Sequence, residues 1–376
     1  MITPESLFEI FQKNGLTFFT GVPDSTFKAW MSFLDDEHGK RLTNIITVNE
    51  CEATAVAAGH YLGSGTPAVV YLQNSGFGKT VNPITSLLDK EVYGIPALLM
   101  IGWRGEPGKK DEPQHKKMGR IMLDMLKVLE IPAVVLTDNP AEIDAEIQKA
   151  KDWMQQHSAP YALIVRSGVV DEAYEKKVKH VQNFEMVRED AIKAIVDTLD
   201  PSDIVVSTTG KTSRELFEYR IARNETPCDF YTVGSMGCAS AIGFGIALKN
   251  PHKKIFVLDG DGAALMQFGS FATIGHYAPP NLYHVLIDNQ SHDSTGGQPT
   301  VSTTVNFENV ARATGYKDVV SISSSVGLVE TLKHFRNKQG PALLIVNCRT
   351  GSRKDLGRPT STPVENKEIF MQRVQG

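Results

Sequence analysis

Short apolar runs rich in β-branched residues recur along the whole chain, and helix-length stretches separate them. In the first half they stand at 17–22 (TFFTGV), 45–48 (IITV), 68–72 (AVVYL), 97–102 (ALLMIG), 133–137 (AVVLT) and 161–166 (YALIVR), with helical stretches including 119–130 and 141–157. The second half repeats the layout at 203–208 (DIVVST), 230–234 (FYTVG), 254–259 (KIFVLD), 283–288 (YHVLID), 319–322 (VVSI) and 342–347 (ALLIVN). Strands that are apolar throughout belong in parallel sheets covered on both faces, and parallel neighbours need crossover helices. The pattern predicts an α/β protein of two domains, each a mainly parallel sheet of about six strands with helices on both faces. The charge-dense segment 171–190 (DEAYEKKVKHVQNFEMVRED) is the expected linker between domains at 1–170 and 191–376.

Several classes drop out on composition. The 376 residues carry a net charge of −4, with no basic excess to hold nucleic acid. No apolar run reaches bilayer length, so no membrane span is expected. The start, MITPESLFEIFQKNG, lacks a signal-peptide layout and reads as a helix with Thr3 before Pro4 and Gly15 past its end. Cys51, Cys228, Cys238 and Cys348 form no CxxC pair and suit a reduced, cytoplasmic setting. The polar tail after Cys348 ends in a short amphipathic stretch, read as a lid or a frayed end.

The chemistry concentrates in LDGDGAALMQFGSFATIGHYAPPNLYHVLIDNQ. The strand KIFVLD runs into Gly260-Asp261-Gly262, and one crossover later a second strand ends in Asp288-Asn289. A right-handed crossover brings the carboxyl ends of both strands together, at the edge where open α/β sheets hold ligands. Glycines allow main-chain N–H groups near an anion, and a carboxylate with an amide oxygen suits Mg²⁺ or Ca²⁺ shared with phosphate. An EF-hand fails because Ser270 stands where the twelfth-position Glu should be. Two GKT triplets, Gly78-Lys79-Thr80 and Gly210-Lys211-Thr212, fail as P-loops because Gln73 and Val205 replace the first glycine.

The GDG…N spacing resembles the cofactor motif of thiamin-diphosphate-dependent 2-oxo-acid decarboxylases. That resemblance implies thiamin diphosphate with Mg²⁺ held by Asp261, Asn289 and the carbonyl of Ser291. The family usually has two asparagines in a row; here Asp288 takes the first place, leaving the implied ligand itself intact. The segment TVNECEATAVAAGHYL resembles the family's glutamate helix and implies that Glu50 meets N1′ of the aminopyrimidine. Its local reading is a helix capped by Asn49 with Glu52 at the third position, and Ala53, Ala57, Ala58 and Gly59 giving a small face open to close approach. GVPDSTF is similar to the family's active-site turn, and QNSGFGKTVNPITSLL to the loop lining the pyrimidine pocket. YTVGSMGCASAIGFGIAL implies a carbonyl contact at Gly234 and an apolar wedge at Met236. The implied cofactor contacts are thus Glu50, Gly234, Met236, Gly260, Asp261, Gly262, Ala263 and Asn289.

The absence of a middle domain, with MIGWRGEPGKKDEPQH, SHDSTGGQPT and GSRKDLGRPT, resembles the phosphonopyruvate-converting branch of that family. It implies decarboxylation of 3-phosphonopyruvate to phosphonoacetaldehyde, a step in 2-aminoethylphosphonate biosynthesis. Sulfopyruvate or another 2-oxo acid is the alternative substrate, and a non-catalytic subunit of the same fold the alternative class. The double-histidine signature of pyruvate decarboxylase is absent, with only His115 near that place. Asp24 and His115 are the candidates for proton transfer and carboxylate handling. A doubly anionic substrate calls for fixed cations; the candidates are Arg104, Lys109, Lys110, Arg349, Arg353, Lys354 and Arg358, with Ser25 beside them. The family resemblance also implies a homodimer or dimer of dimers with shared active sites.

Overall fold

In the computed structural model the described residues are 1–171, 173–177 and 182–376. The chain divides into two compact units, Met1–His180 with Thr295–Gln298, and Val181–Ser294 with Pro299–Gly376. Of the expected linker 171–190, residues 172 and 178–181 lie outside the described residues. Tyr174 and Lys176 are held to Asp36 and Asp35 of the first unit, whereas Val187 bridges to Arg349 of the second.

In the first unit the strands are β1 (Phe18–Gly21), β2 (Thr43–Ile46), β3 (Val69–Gln73), β4 (Leu98–Gly102), β5 (Ala133–Val135) and β6 (Tyr161–Val165). They form one six-stranded sheet in the order β2-β1-β3-β4-β6-β5, and every pairing is parallel. The β4 and β6 residues are all buried, as apolar runs without alternation require. One face carries Phe8, Phe11, Phe19, Trp30 and Phe33; the other carries Ala53, Ala57, Phe77, Leu88 and Met122.

The second unit contributes β7 (Ile204–Ser207), β8 (Phe230–Tyr231), β9 (Ile255–Gly260), β10 (Leu282–Asp288), β11 (Asp318–Ile322) and β12 (Ala342–Asn347). Their order is β11-β12-β10-β9-β7-β8, again all parallel. Numbered within each unit and read from the matching edge, both sheets follow 2-1-3-4-6-5. That shared order is what two copies of one ancestral unit would show. In each, the first and third strands flank the point where the connections reverse direction, the usual ligand crevice of open α/β sheets.

The tail ends in a docked helix rather than a frayed end. Pro363–Gln375 is a helix whose Thr362/Glu365 capping box satisfies its first turn. Asn366 accepts from Tyr231 N at 3.2 Å and donates to the Asp229 carbonyl at 2.8 Å, while Phe370 packs on Phe230. The helix thereby covers edge strand β8.

Candidate functional site

In the first unit the carboxyl ends of β1, β3 and β4 bring three segments together. Glu50 opens the helix Glu50–Ser64, whose cap is Asn49: Oδ1 accepts from Glu52 N at 3.0 Å, and Glu52 in return accepts from Val48 N at 3.0 Å. Glu52 is exposed and serves as a cap. Glu50 is buried, its Oε2 accepts no hydrogen bond among the described residues, and Lys79 Nζ stands 3.4 Å away. Gly76 lies so close that a Cβ there would come within 2.0 Å of Glu50 Oε1. The small face is divided: Ala53, Ala57 and Ala58 pack inside the unit's own core, whereas Gly59 is exposed.

Asp24, three residues beyond the end of β1, is fully buried. Its Oδ1 accepts from Thr26 N and from Gln73 Nε2, both at 2.9 Å, and its Oδ2 is unpartnered. Burial pushes its carboxyl above the usual range, outweighing those hydrogen bonds. Arg104 is clasped by Asp111, Nε to Oδ2 at 2.8 Å and Nη2 to Oδ1 at 2.5 Å, while its Nη1 donates to Ser25 Oγ at 2.9 Å. Asn74 fixes the same turn by exchanging hydrogen bonds with the Arg104 main chain. His115 is buried with Nδ1 unpartnered; burial, and then Arg104, push its imidazole below the ordinary value, so it is neutral at neutral pH.

The other proposed cations fare differently. Lys109 pairs with Glu106 at 2.7 Å, and Arg353 is surrounded by Glu189, Glu218 and Asp355, so their charges are met by acids of their own unit. Arg349 lies against the Glu185 carbonyl, and Arg358 also has a partner. Lys110 and Lys354 are exposed.

In the second unit Asp261 follows the end of β9 and Asn289 that of β10, adjacent strands in register at Gly260 and Ile287. Asp261, Asn289, Ser291 and Ala263 are buried, and Gly260 and Gly262 are partly exposed. Thr300 Oγ1 donates to Asp261 Oδ2 at 2.5 Å, Ser302 Oγ to Asp288 Oδ1 at 3.0 Å, and Ser291 N to Asn289 Oδ1 at 3.3 Å. Burial, and then the charge of Asp288, push the Asp261 carboxyl up to about 7. Asp288 therefore does more than occupy a harmless position: after burial, its charge contributes most to raising the Asp261 carboxyl. Met236 sits between Ser235 and Gly237, both with positive φ (51° and 92°). A Cβ at Gly262 would lie 3.4 Å from Met236 Cε, so this side chain does reach the GDG turn, beside Gly234.

These residues fit the implied groups. Asp24 and His115 each keep a buried polar atom without a hydrogen bond, a condition that native proteins avoid unless something else fills it, and Glu50 Oε2 faces only the Lys79 ammonium at 3.4 Å. Asp261, the Asn289 amide and a main-chain carbonyl are hard oxygen donors, and a divalent cation would relieve the cost of holding Asp261 charged. No group of three His, Cys, Asp or Glu able to hold a metal occurs among the described residues. Ligands from a diphosphate and water would complete such a set.

Sequence reasoning missed Lys79 and Gly76 beside Glu50, Asp111 behind Arg104, and Thr300 and Ser302 behind the two aspartates. Thr300 is 39 residues from Asp261, with no spacing rule to join them.

Comparison with known proteins agrees over nearly the whole length. Residues 1–127 match the N-terminal TPP binding domain of thiamine pyrophosphate enzymes, and residues 208–346 match their C-terminal TPP binding domain. Phosphonopyruvate decarboxylase of Streptomyces hygroscopicus is 38% identical, covering 95% of this chain and 90% of that protein. Its counterpart in Streptomyces viridochromogenes is 37% identical, covering 95% and 91%. Sulfopyruvate decarboxylase of Methanosarcina acetivorans is 25% identical over 98% and 96%. With one six-stranded parallel sheet for each of the two matched domains, and a sequence relationship that runs from end to end, the chain belongs to the thiamine pyrophosphate enzymes and, within them, to the phosphonopyruvate decarboxylase family.

Proposed function

We propose that the protein decarboxylates 3-phosphonopyruvate to phosphonoacetaldehyde and CO₂, using thiamine diphosphate and Mg²⁺, as a cytoplasmic step of 2-aminoethylphosphonate biosynthesis. The observation that carries this reading is the coexistence, in one chain 38% identical to a phosphonopyruvate decarboxylase, of the buried Glu50 carboxyl, whose Oε2 accepts no hydrogen bond, with the oxygen donors Asp261 and Asn289. A non-catalytic subunit would have no need to keep both.

Residues 1–170 are assigned to the aminopyrimidine and 191–376 to the diphosphate. Bound thiamine diphosphate supplies the electron sink for CO₂ loss, and the chain supplies positioning and electrostatics. Glu50 would hold N1′ of the aminopyrimidine, the Gly234 carbonyl would accept from its amino group, and the Met236 side chain would pack against the cofactor. Gly260, Gly262 and Ala263 would let main-chain N–H groups approach the diphosphate, while Asp261, Asn289 and the Ser291 carbonyl would hold the Mg²⁺.

Asp24 and His115 are shifted in opposite senses, Asp24 toward its protonated form and His115 toward its neutral base. Such a divergence suits one group to donate and the other to accept a proton. The substrate's second anion is assigned to Arg104, whose fork is aimed by Asp111 and Ser25. Arg104, Lys109 and Arg353 are all paired with acids; Arg104 is preferred to the other two because it alone of them donates to Ser25, next to Asp24.

Turnover measured on phosphonopyruvate, sulfopyruvate and pyruvate, with cofactor omitted and restored, tests the assignment. Cofactor-dependent turnover fastest on phosphonopyruvate is expected; a preference for sulfopyruvate would refute the substrate, and no turnover of any would refute the activity. Arg104→Gln with Asp111→Asn, which avoids stranding a lone carboxylate, should raise KM for phosphonopyruvate about 10- to 100-fold, the loss of a charge-assisted hydrogen bond. The protein is further proposed to be a homodimer or dimer of dimers in which neighbouring copies complete each site. Light scattering on the active species should give a multiple of the chain mass, and a single-chain mass would exclude shared sites.

A further inference from the structure

The triplet Gly210-Lys211-Thr212 is not a P-loop, and none of the contacts assigned above uses it. The structure gives its lysine a definite partner. Lys211 Nζ lies 2.9 Å from Asp293 Oδ2 and 3.3 Å from the Asp293 main-chain carbonyl, capturing both the side chain and the backbone of one residue. Arg188 Nη1 reaches the same Asp293 carboxylate at 3.3 Å. Arg188 is itself locked onto Glu215, through Nε at 2.8 Å and Nη2 at 2.9 Å. Glu215 is 1% exposed and Arg188 7%. A buried pair of this kind adds little net stability, since desolvation offsets its attraction, but it fixes geometry firmly.

Asp293 stands two residues beyond Ser291 and four beyond Asn289. One donor assigned to the cation is the Ser291 carbonyl, and a main-chain oxygen can be aimed only through the backbone on either side of it. Upstream, Gln290 adopts a positive φ of 55° and its N–H donates to Asp288 Oδ1 at 3.0 Å. The Gln290 carbonyl in turn accepts from Thr300 N at 3.1 Å. Downstream, Lys211 and Arg188 anchor Asp293. The loop is thus tethered on both sides of the carbonyl. The lysine comes from the helix Lys211–Ala222, which follows β7, the strand paired with the strand that leads into Asp261.

We infer that Lys211, backed by Arg188 and Glu215, is a positioning residue for the metal loop: through Asp293 it sets the direction of the Ser291 carbonyl and hence the affinity for the divalent cation. This rests on the assignment of Ser291 to Mg²⁺ made above. Outer-shell partners of metal ligands typically contribute 10- to 100-fold in metal affinity.

Lys211→Met keeps the stem and removes the charge. Titration calorimetry of the apoprotein with Mg²⁺ at saturating thiamine diphosphate should show affinity weakened about 10- to 100-fold, with Lys211→Arg recovering most of it. Asp293→Asn, nearly isosteric, should weaken Mg²⁺ binding in the same direction, and adding it to Lys211→Met should cost little more, because both break one linkage. The turnover deficit of each variant should shrink as Mg²⁺ is raised. Unchanged Mg²⁺ affinity in Lys211→Met and Asp293→Asn, whatever happens to their melting temperatures, would overturn the inference and leave the cluster a structural staple. Should the unmutated protein take up no Mg²⁺ with thiamine diphosphate, the inference and the cofactor assignment would fall together, a result recognisable because it needs no variant.

Discussion

Glu50→Gln is expected to retain thiamine diphosphate while losing about 10²- to 10⁴-fold in decarboxylation, the range over which a positioned acid or base accelerates proton transfer. The side chain keeps its length and its place at the start of the helix, and the Asn49–Glu52 cap is untouched. What disappears is a buried carboxyl group whose Oε2 has only Lys79, 3.4 Å away, as company. Calorimetry of cofactor binding and an aldehyde-release assay on the same protein separate the two effects. Gly76→Ala offers a second route to the same result without altering any charge. Its new Cβ would meet Glu50 Oε1 at 2.0 Å and Cδ at 2.4 Å, so the carboxylate must move or the loop must open. Full activity in both variants would remove Glu50 from the chemistry.

Asp261→Asn should act in opposite directions on function and on stability. Loss of a direct anionic ligand should weaken Mg²⁺-dependent cofactor binding by at least about 100-fold, beyond what outer-shell changes usually bring. Without metal, the same change should raise the melting temperature. Burial and the Asp288 charge lift the Asp261 carboxyl to about 7 when folded, so ionising it opposes folding. The sign follows from linkage: between the unfolded carboxylate range and about 7, the folded protein binds more protons, so this group's contribution falls as pH rises. A carboxamide has no such penalty and can still accept from Thr300. Each 1 kcal/mol relieved corresponds to about 2–4 °C in a unit of this size. Thermal melts at pH 7.5 to 8 with EDTA, then with Mg²⁺ and thiamine diphosphate, provide the check. A variant that melts lower without metal, or that binds the cofactor normally, would contradict the assignment.

Asp288 shows where motif reasoning stops. In the linear pattern it is a neighbour of the implied ligand and looks dispensable. In the structure it is buried, accepts from Ser302, and is the charge that Asp261 feels most directly. The cationic residues show the converse. The sequence leaves seven lysines and arginines equivalent; Arg104, Lys109 and Arg353 all meet acids, and what sets Arg104 apart is its hydrogen bond to Ser25 beside Asp24.

The twelve strands of the two six-stranded sheets were legible in the chain, down to the coincidence of 342–347 with the last of them, most clearly at the central strands, which are buried on both faces and apolar at nearly every position; the short strand pair Ser291–His292 and Gln298–Pro299 was not. The residues ending those strands were legible too: Glu50 after its cap, and Asp261 and Asn289 one crossover apart. Within the second unit, local spacing and a single chirality rule suffice to bring Asp261 and Asn289 to one sheet edge. Tertiary structure alone decided which side chains stand behind them. Lys79 and Gly76 at Glu50, Thr300 and Ser302 at the two aspartates, and Lys211 at Asp293 are joined across gaps with no periodicity, because contacts between loops depend on how sheet ends are capped rather than on any repeat along the chain.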